Sequence, residues 1–330
     1  MSETFRLGMY AYGTFGAPAG DDPDQQTADF KTWLTAIGQA GYNVLVMSTF
    51  HVDPHGNLFD SAPVATDGVF NPLESSQPSK ALNPQLPALL ADFKATYGAK
   101  VYYSVGNSAG TAGDMTNLET LLSGYSCVQA QSNPTSPDFE NLVSNLKLLG
   151  SALHIDGIDF DFEPVAYDAS QQTLVSQFTC LLHNLGFGVT YCPYRKTSFW
   201  IDAQAAACDP EQTGSGTSKV DWWNLQCYGN GPPTSWTKAI EEYIAAHRNR
   251  LGIADPGRYV MPGYSSTDGP PCTVQQQVYA AVTATPPTAG GGWIWQLGQF
   301  DLSSPNLESA LSGYATAIVQ GQSGPPAQAG

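Results

Sequence analysis

Eight short runs rich in β-branched and aromatic residues recur along the chain, and a stretch of helical periodicity follows each of them. The strand-like runs fall near 5–12, 42–50, 100–106, 156–162, 187–192, 221–228, 258–264 and 291–296. The helical stretches fall near 24–40, 85–97, 114–123 with 137–149, 170–185, 199–207, 234–250, 273–284 and 304–319. Eight strand–helix units in succession are what an α/β (β/α)8 TIM barrel needs. A doubly wound sheet would put GxGxxG spacing after its first strand, and Gly8–Gly16 lacks it. At 330 residues the chain fits one barrel domain over 1–320, and the Gly/Pro/Ala-rich tail 321–330 reads as disordered. A long polar loop, 51–79, follows the second strand. In such a barrel, side chains at the C-terminal ends of the strands form the active site.

The fourth run carries the chemistry. Asp159, Asp161 and Glu163 alternate with Ile158, Phe160 and Phe162. In a strand this alternation puts the acids on one face and the apolar residues on the other; in a helix the acids would diverge. Carboxylates two residues apart on a strand are separated by roughly 6–7 Å. Burial and like charge raise their pKa values, so a proton is expected to be shared in the row and Glu163 to serve as a protonated acid near neutral pH. Asp156 has the opposite parity and reads as a structural hydrogen-bonder at the strand start. On the sixth run Gln226 and Tyr228 share a face in the same way.

Asp156-Gly157-x-Asp159-x-Asp161-x-Glu163 resembles the DGxDxDxE motif of glycoside hydrolase family 18, the chitinases and endo-β-N-acetylglucosaminidases. Three shorter stretches add to the resemblance. Gln226-Cys227-Tyr228 is similar to the family's QxYN, with Gly229 where Asn or Asp is usual and Asn230 next. Gly290 to Trp295 is similar to GGxMxW, and Ser104 to Asn107 looks like SxGG. The resemblance implies a retaining hydrolase in which the sugar's own 2-acetamido oxygen is the nucleophile. Glu163 would be general acid and then base, and Asp161 would accept the acetamido N–H. Asp159 would share a proton with Asp161, and Tyr228 would steady the acetamido oxygen. Trp295 would form the floor beneath the sugar, with Gln226, Asn230 and Tyr10 as further substrate contacts. Tyr10, Tyr12, Tyr191 and Tyr194 line the cleft or pack in the core. The implied substrate is chitin or its N-acetylglucosamine oligosaccharides, with no cofactor. The alternatives are an endo-β-N-acetylglucosaminidase acting on N-glycans or peptidoglycan, and a non-catalytic, lectin-like oligosaccharide binder on the same fold.

A formal net charge of −16 disfavours nucleic acid and anionic membranes as partners. No run reaches the length of a membrane span. The first residues lack the basic start and apolar region of a secretory signal, so the location stays open between the cytoplasm and a non-standard route of export. The six cysteines form no CxxC pair, which leaves both disulfides and buried thiols open. His51-x-Asp53-x-His55 has metal-like spacing but no third ligand cluster, so no metal is expected. A monomer is expected.

Overall fold

In the computed structural model, alternation of inward and outward side chains along each strand builds two apolar layers, one inside a barrel and one around it. Residues 5–16, 22–70, 81–107, 111–127, 135–163, 167–194, 196–207, 218–228, 233–253, 256–284 and 290–325 are described. Among them the chain runs β1 (Arg6–Tyr12), α1 (Pro23–Gln39), β2 (Val44–Val52), β3 (Leu58–Asp60), β4 (Ala62–Thr66), β5 (Val69–Phe70), α2 (Leu86–Tyr97) and β6 (Lys100–Val105). It continues α3 (Thr111–Leu121), α4 (Pro137–Leu153), β7 (Gly157–Phe160), α5 (Ala169–Asn184), β8 (Gly188–Tyr191), α6 (Thr197–Ala207) and β9 (Trp222–Gln226). α7 (Pro233–Leu251), β10 (Val260–Ser265), α8 (Pro271–Ala284), β11 (Gly291–Trp295) and α9 (Leu307–Gly321) complete it.

Eight of these strands pair in parallel in the order β1-β2-β6-β7-β8-β9-β10-β11, and β1 also pairs with β11, which closes the barrel. The structure is therefore a single-domain (β/α)8 barrel, and every barrel strand coincides with one of the runs read from the sequence. Local signals set the helix starts. The side chains of Asp22, Ser136 and Asp168 cap α1, α4 and α5 by accepting from the backbone N–H of Gln25, Phe139 and Gln171, at 3.0, 3.2 and 2.9 Å. Pro23 and Pro137 sit in the first turns of α1 and α4, where their missing N–H leaves no bond unmade.

Inside the barrel Tyr10, Val44, Val46, Tyr102, Cys192, Trp222, Met261 and Trp293 form one cluster. Trp293 needs room there. A Cβ on Gly263 would lie 2.2 Å from its ring, and one on Gly8 would lie 2.9 Å from its Cβ, so two neighbouring strands present glycine to it. Outside the barrel, Met9, Leu45, Met47, Phe160, Tyr191, Leu225 and Ile294 pack under the helices.

Three departures from the sequence reading stand out. The long loop after β2 contains the antiparallel strands β3, β4 and β5, and it packs on α4. Buried Asn145 of α4 ties that excursion down: its Nδ2 donates to the Gly56 carbonyl at 2.9 Å, and its Oδ1 accepts from the Gly68 N–H at 3.0 Å. Arg258 and Tyr259 lie in a 3-10 turn, so β10 begins only at Val260. The open question of the cysteines resolves into one disulfide, Cys127–Cys180, with Cys192 and Cys227 as buried thiols and Cys272 exposed. Cys208 lies outside the described residues.

Candidate active site

The acid row leaves β7 at its C-terminal end, as the alternation requires. Phe160 points outward and stacks on Phe178 and Tyr191, with ring centroids 5.2 and 5.4 Å away. Asp159 and Asp161 point inward and are buried, and Glu163 is partly exposed. The Asp161 N–H donates to the Val105 carbonyl at 3.1 Å, which carries the ladder one residue past the strand. Asp156 has the opposite parity and is structural: its carboxylate accepts from the Val101 N–H at 2.8 Å and pairs with Lys94 at 2.9 Å.

Asp159 sits in a nest of four donors brought from four strands. Tyr10 Oη and Ser104 Oγ donate to its Oδ2 at 2.8 and 3.1 Å, while Thr190 Oγ1 and Asn224 Nδ2 donate to its Oδ1 at 2.5 and 3.0 Å. Burial pushes its pKa up to about 6, and these four hydrogen bonds hold it from rising further. A carboxylate offers about four lone-pair sites, and all of them are filled.

Asp161 is raised for three reasons. Burial raises its pKa well above the usual carboxylate range, and the charges of Glu163 and Asp159 raise it further; contacts with Cys192 and Gln226 pull the other way. Glu163 is raised by burial and lowered by a hydrogen bond from Gln226. Both outer acids are thus raised, Asp161 by burial and by its neighbours' charge, Glu163 by burial. Gln226 couples the two. Its Nε2 donates to Asp161 Oδ1 at 3.0 Å and to the Cys192 carbonyl at 3.2 Å, and its Oε1 accepts from the Tyr228 hydroxyl at 3.3 Å.

Aromatic rings wall the other side of the mouth. Trp295 and Tyr228 lie parallel, 6.0 Å between centroids and 9° between planes, and Tyr12 packs on Trp295 at 5.7 Å. Tyr12 is 41% exposed. Tyr10, expected among the substrate contacts, is buried completely with its hydroxyl on Asp159, so it lies beneath the site rather than in its wall. Tyr191 belongs to the outer core, its hydroxyl paired with Thr179 Oγ1 at 2.8 Å. Asn230 and Gly229 lie outside the described residues. The metal-like triplet diverges. His51 turns to Asp114 at 2.8 Å and His55 to Asp138 at 3.2 Å, while Asp53 accepts from the His55 and Asn57 backbones.

No family model and no curated protein matches the sequence. Solved structures do match in three dimensions. A family 18 chitinase from the chitin utilization locus of Flavobacterium johnsoniae aligns with a TM-score of 0.56 at 14% identity, over 97% of this chain and 95% of that one. The catalytic domain of a family 18 chitinase from the fern Peteris ryukyuensis aligns at 0.53 and 18%, over 95% and 99%. A Cycas revoluta family 18 chitinase, a double mutant in complex with (GlcNAc)4, aligns at 0.53 and 13%, over 94% and 99%. The chain has the glycoside hydrolase family 18 fold.

Within this family 18 fold, three site residues escaped the sequence reading: Thr190, Asn224 and Cys192. Each has the inward parity of its strand, Asn224 standing two residues before Gln226, and Thr190 and Cys192 alternating on the run from 187 to 192. Parity alone could have found them. Their polar roles depend on which acid stands opposite, and that is a matter of barrel register.

Proposed function

We propose that the protein is a retaining, chitinase-like glycoside hydrolase that cleaves β-1,4-linked N-acetylglucosamine polymers with the substrate's 2-acetamido group as nucleophile. The observation that carries this reading is the inward row of three acids at the mouth of a family 18 barrel, the deepest of them accepting from four donors. The (GlcNAc)4 bound by the Cycas chitinase supports the choice of substrate.

The chemistry follows from the proton. Asp159, held by four donors and with its pKa raised by burial to about 6, sets the charge below the row. Asp161 and Glu163 titrate together, so the proton belongs to the pair. An acetamido N–H approaching Asp161 is a donor to its ionised form and favours moving the proton to Glu163. Glu163 then protonates the departing glycosidic oxygen as general acid. The acetamido carbonyl oxygen attacks the anomeric carbon from the opposite side. Being attached to the same sugar, it reacts at an effective molarity on the order of 10⁵ M or more. The ionised Asp161 stabilises the positive charge of the oxazolinium ring, and the Tyr228 hydroxyl, released from Gln226, steadies the ring oxygen. Glu163, now a carboxylate, takes a proton from water as it opens the ring. Two inversions give net retention. Trp295 supplies an aromatic face for the apolar side of the sugar.

The test is hydrolysis of a soluble chitin oligosaccharide by the wild-type protein and by Glu163→Gln, with the product anomer followed by NMR. Release of the β-anomer by the wild type, abolished in the variant, is expected. Oligosaccharide binding without turnover would replace this reading with that of a lectin-like protein.

A further inference from the structure

Trp222 opens β9 at the floor of the barrel, and its ring is buried. Three side chains from two other strands hold that ring. The Arg6 guanidinium of β1 lies over it at 4.7 Å from the centroid and the Lys100 ammonium of β6 at 5.8 Å, while the Tyr102 ring meets it edge-on at 5.0 Å. Held there, the indole N–H donates to Asn224 Oδ1 at 2.9 Å, and Asn224 Nδ2 donates to Asp159 Oδ1 at 3.0 Å. Both bonds are buried, and together they join the barrel floor to the deepest acid of the site. The other three donors to Asp159 are the hydroxyls of Tyr10, Ser104 and Thr190. A hydroxyl rotates and can accept as well as donate, whereas an amide exchanges its roles only by turning over.

An indole N–H donates and never accepts. The side of the Asn224 amide that faces it is therefore the oxygen, which leaves the NH2 to face Asp159. We propose that Trp222 is a positioning residue that locks Asn224 as a donor, so that Asp159 is held in its ionised form beneath the reacting sugar. The consequence for turnover rests on the hydrolytic reading above; the lock itself does not.

Ionised and neutral Asp159 place opposite demands on Asn224. The carboxylate only accepts, and the NH2 serves it. The protonated acid carries an O–H, which an amide oxygen would serve. With Trp222 in place, that second arrangement sets the NH2 against the indole N–H, donor against donor, and is closed. The lock thus opposes protonation, whereas burial promotes it. The titratable groups around Asp159 are Asp161 on its own strand, Tyr10 from β1 and Cys192 beyond β8, and all of them stay when the indole is changed. Trp222→Phe keeps a ring beneath Arg6 and deletes the donor. Asn224 is then free to turn over as Asp159 takes up a proton, and the Asp159 pKa is expected to rise by about one unit, tenfold in its ionisation constant. Because kcat/KM follows the ionisations of the free protein, a rise of that size from about 6 lowers kcat/KM about fivefold at pH 6 and hardly at all at pH 8.

The experiment follows the Asp159 carboxyl carbon by 13C NMR through a pH titration, its signal assigned by its absence from Asp159→Asn. The proteins are the wild type, Trp222→Phe, Asn224→Ala and the double variant. A second change at the same position replaces Trp222 by 3-benzothienylalanine, in which sulfur stands for the N–H while the bulk and the contacts with Arg6 and Lys100 are kept. Either change at 222 is expected to raise the Asp159 midpoint by about one unit where Asn224 is present, and to leave it in place in the Asn224→Ala background. On a soluble chitin oligosaccharide, kcat/KM should fall at pH 6 and recover at pH 8. A midpoint that ignores the loss of the indole N–H, or that moves equally in both backgrounds, would overturn the proposal. So would a wild-type kcat/KM at pH 6 in a variant whose midpoint has risen. Absence of turnover by the wild type would sink the hydrolytic reading, and the titration would still decide the lock.

Discussion

Replacing Asp159 by asparagine exchanges a buried carboxylate for a neutral group of the same shape. The fit can be worked out from the four donors. Turned with its oxygen toward Thr190 and Asn224, the new amide keeps both of those bonds. Its NH2 then faces Tyr10 and Ser104, whose hydroxyls rotate to accept instead of donate. The electrostatic side has a definite sign. Asp159 titrates at about 6 in the folded protein against an ordinary 3.8. A raised carboxyl contributes stability that is fully present below the unfolded value and is lost as pH rises through the folded one. At about 1.4 kcal/mol per unit, the rise of about two units removes about 3 kcal/mol between roughly pH 4 and pH 6. Asp159→Asn abolishes that loss. Urea unfolding of both proteins at pH 4 and pH 7 should therefore show the variant gaining about 3 kcal/mol relative to the wild type over that interval, while turnover collapses. Part of the gain passes through Asp161, whose proton is bound more weakly once the charge of Asp159 is gone. A relative change below about 1 kcal/mol would mean that the four donors already neutralise the cost of burial, and the reasoning would fail.

Two further outcomes can be checked on stability alone. His51 is held above its ordinary pKa chiefly by its hydrogen bond to Asp114. That pair therefore stabilises fully below about pH 6.5 and progressively less as pH rises through the raised value. Asp114→Asn should lower the His51 pKa read by NMR, and its loss of Tm should be larger at pH 5.5 than at pH 9. Removing the disulfide by Cys127→Ser with Cys180→Ser frees a loop closed across 53 residues, for which the chain-entropy model gives a loss of about 4 kcal/mol. The urea midpoint should fall accordingly, and reduction of the wild type should reproduce the fall.

The barrel was legible because each of its strands carries its own periodicity, and β7 carries the strongest, acid against aromatic. The site was legible wherever one strand contained the whole signal, as in Asp159, Asp161 and Glu163, or in Gln226 with Tyr228. It was illegible where strands cooperate. The nest around Asp159 draws on positions up to 149 residues away in sequence, so neither its four donors nor the burial of Tyr10 could be read locally. Nor is the placing of the proton a local matter. Parity shows that the acids share a face, whereas the site of the proton depends on how many donors meet each acid. The β3–β5 excursion was hidden differently, in strands of two to five residues interrupted by Pro63, Asp67 and Gly68, too short for a period to emerge.

The alternation in β7 also limits how such a protein can diverge. The peptide that aims Asp159 and Asp161 into the mouth aims Phe160 and Phe162 into the outer core, where Phe160 is clasped between Phe178 and Tyr191. Chemistry and cohesion are therefore written on opposite sides of the same few residues. Gain or loss of one residue there would turn the phenylalanines into the mouth and drive the acids among the helices. Segments joining strands to helices are under no such double demand. A lineage built on this chain is free to explore new substrates by redrawing its rim, while the acid strand is inherited whole or not at all.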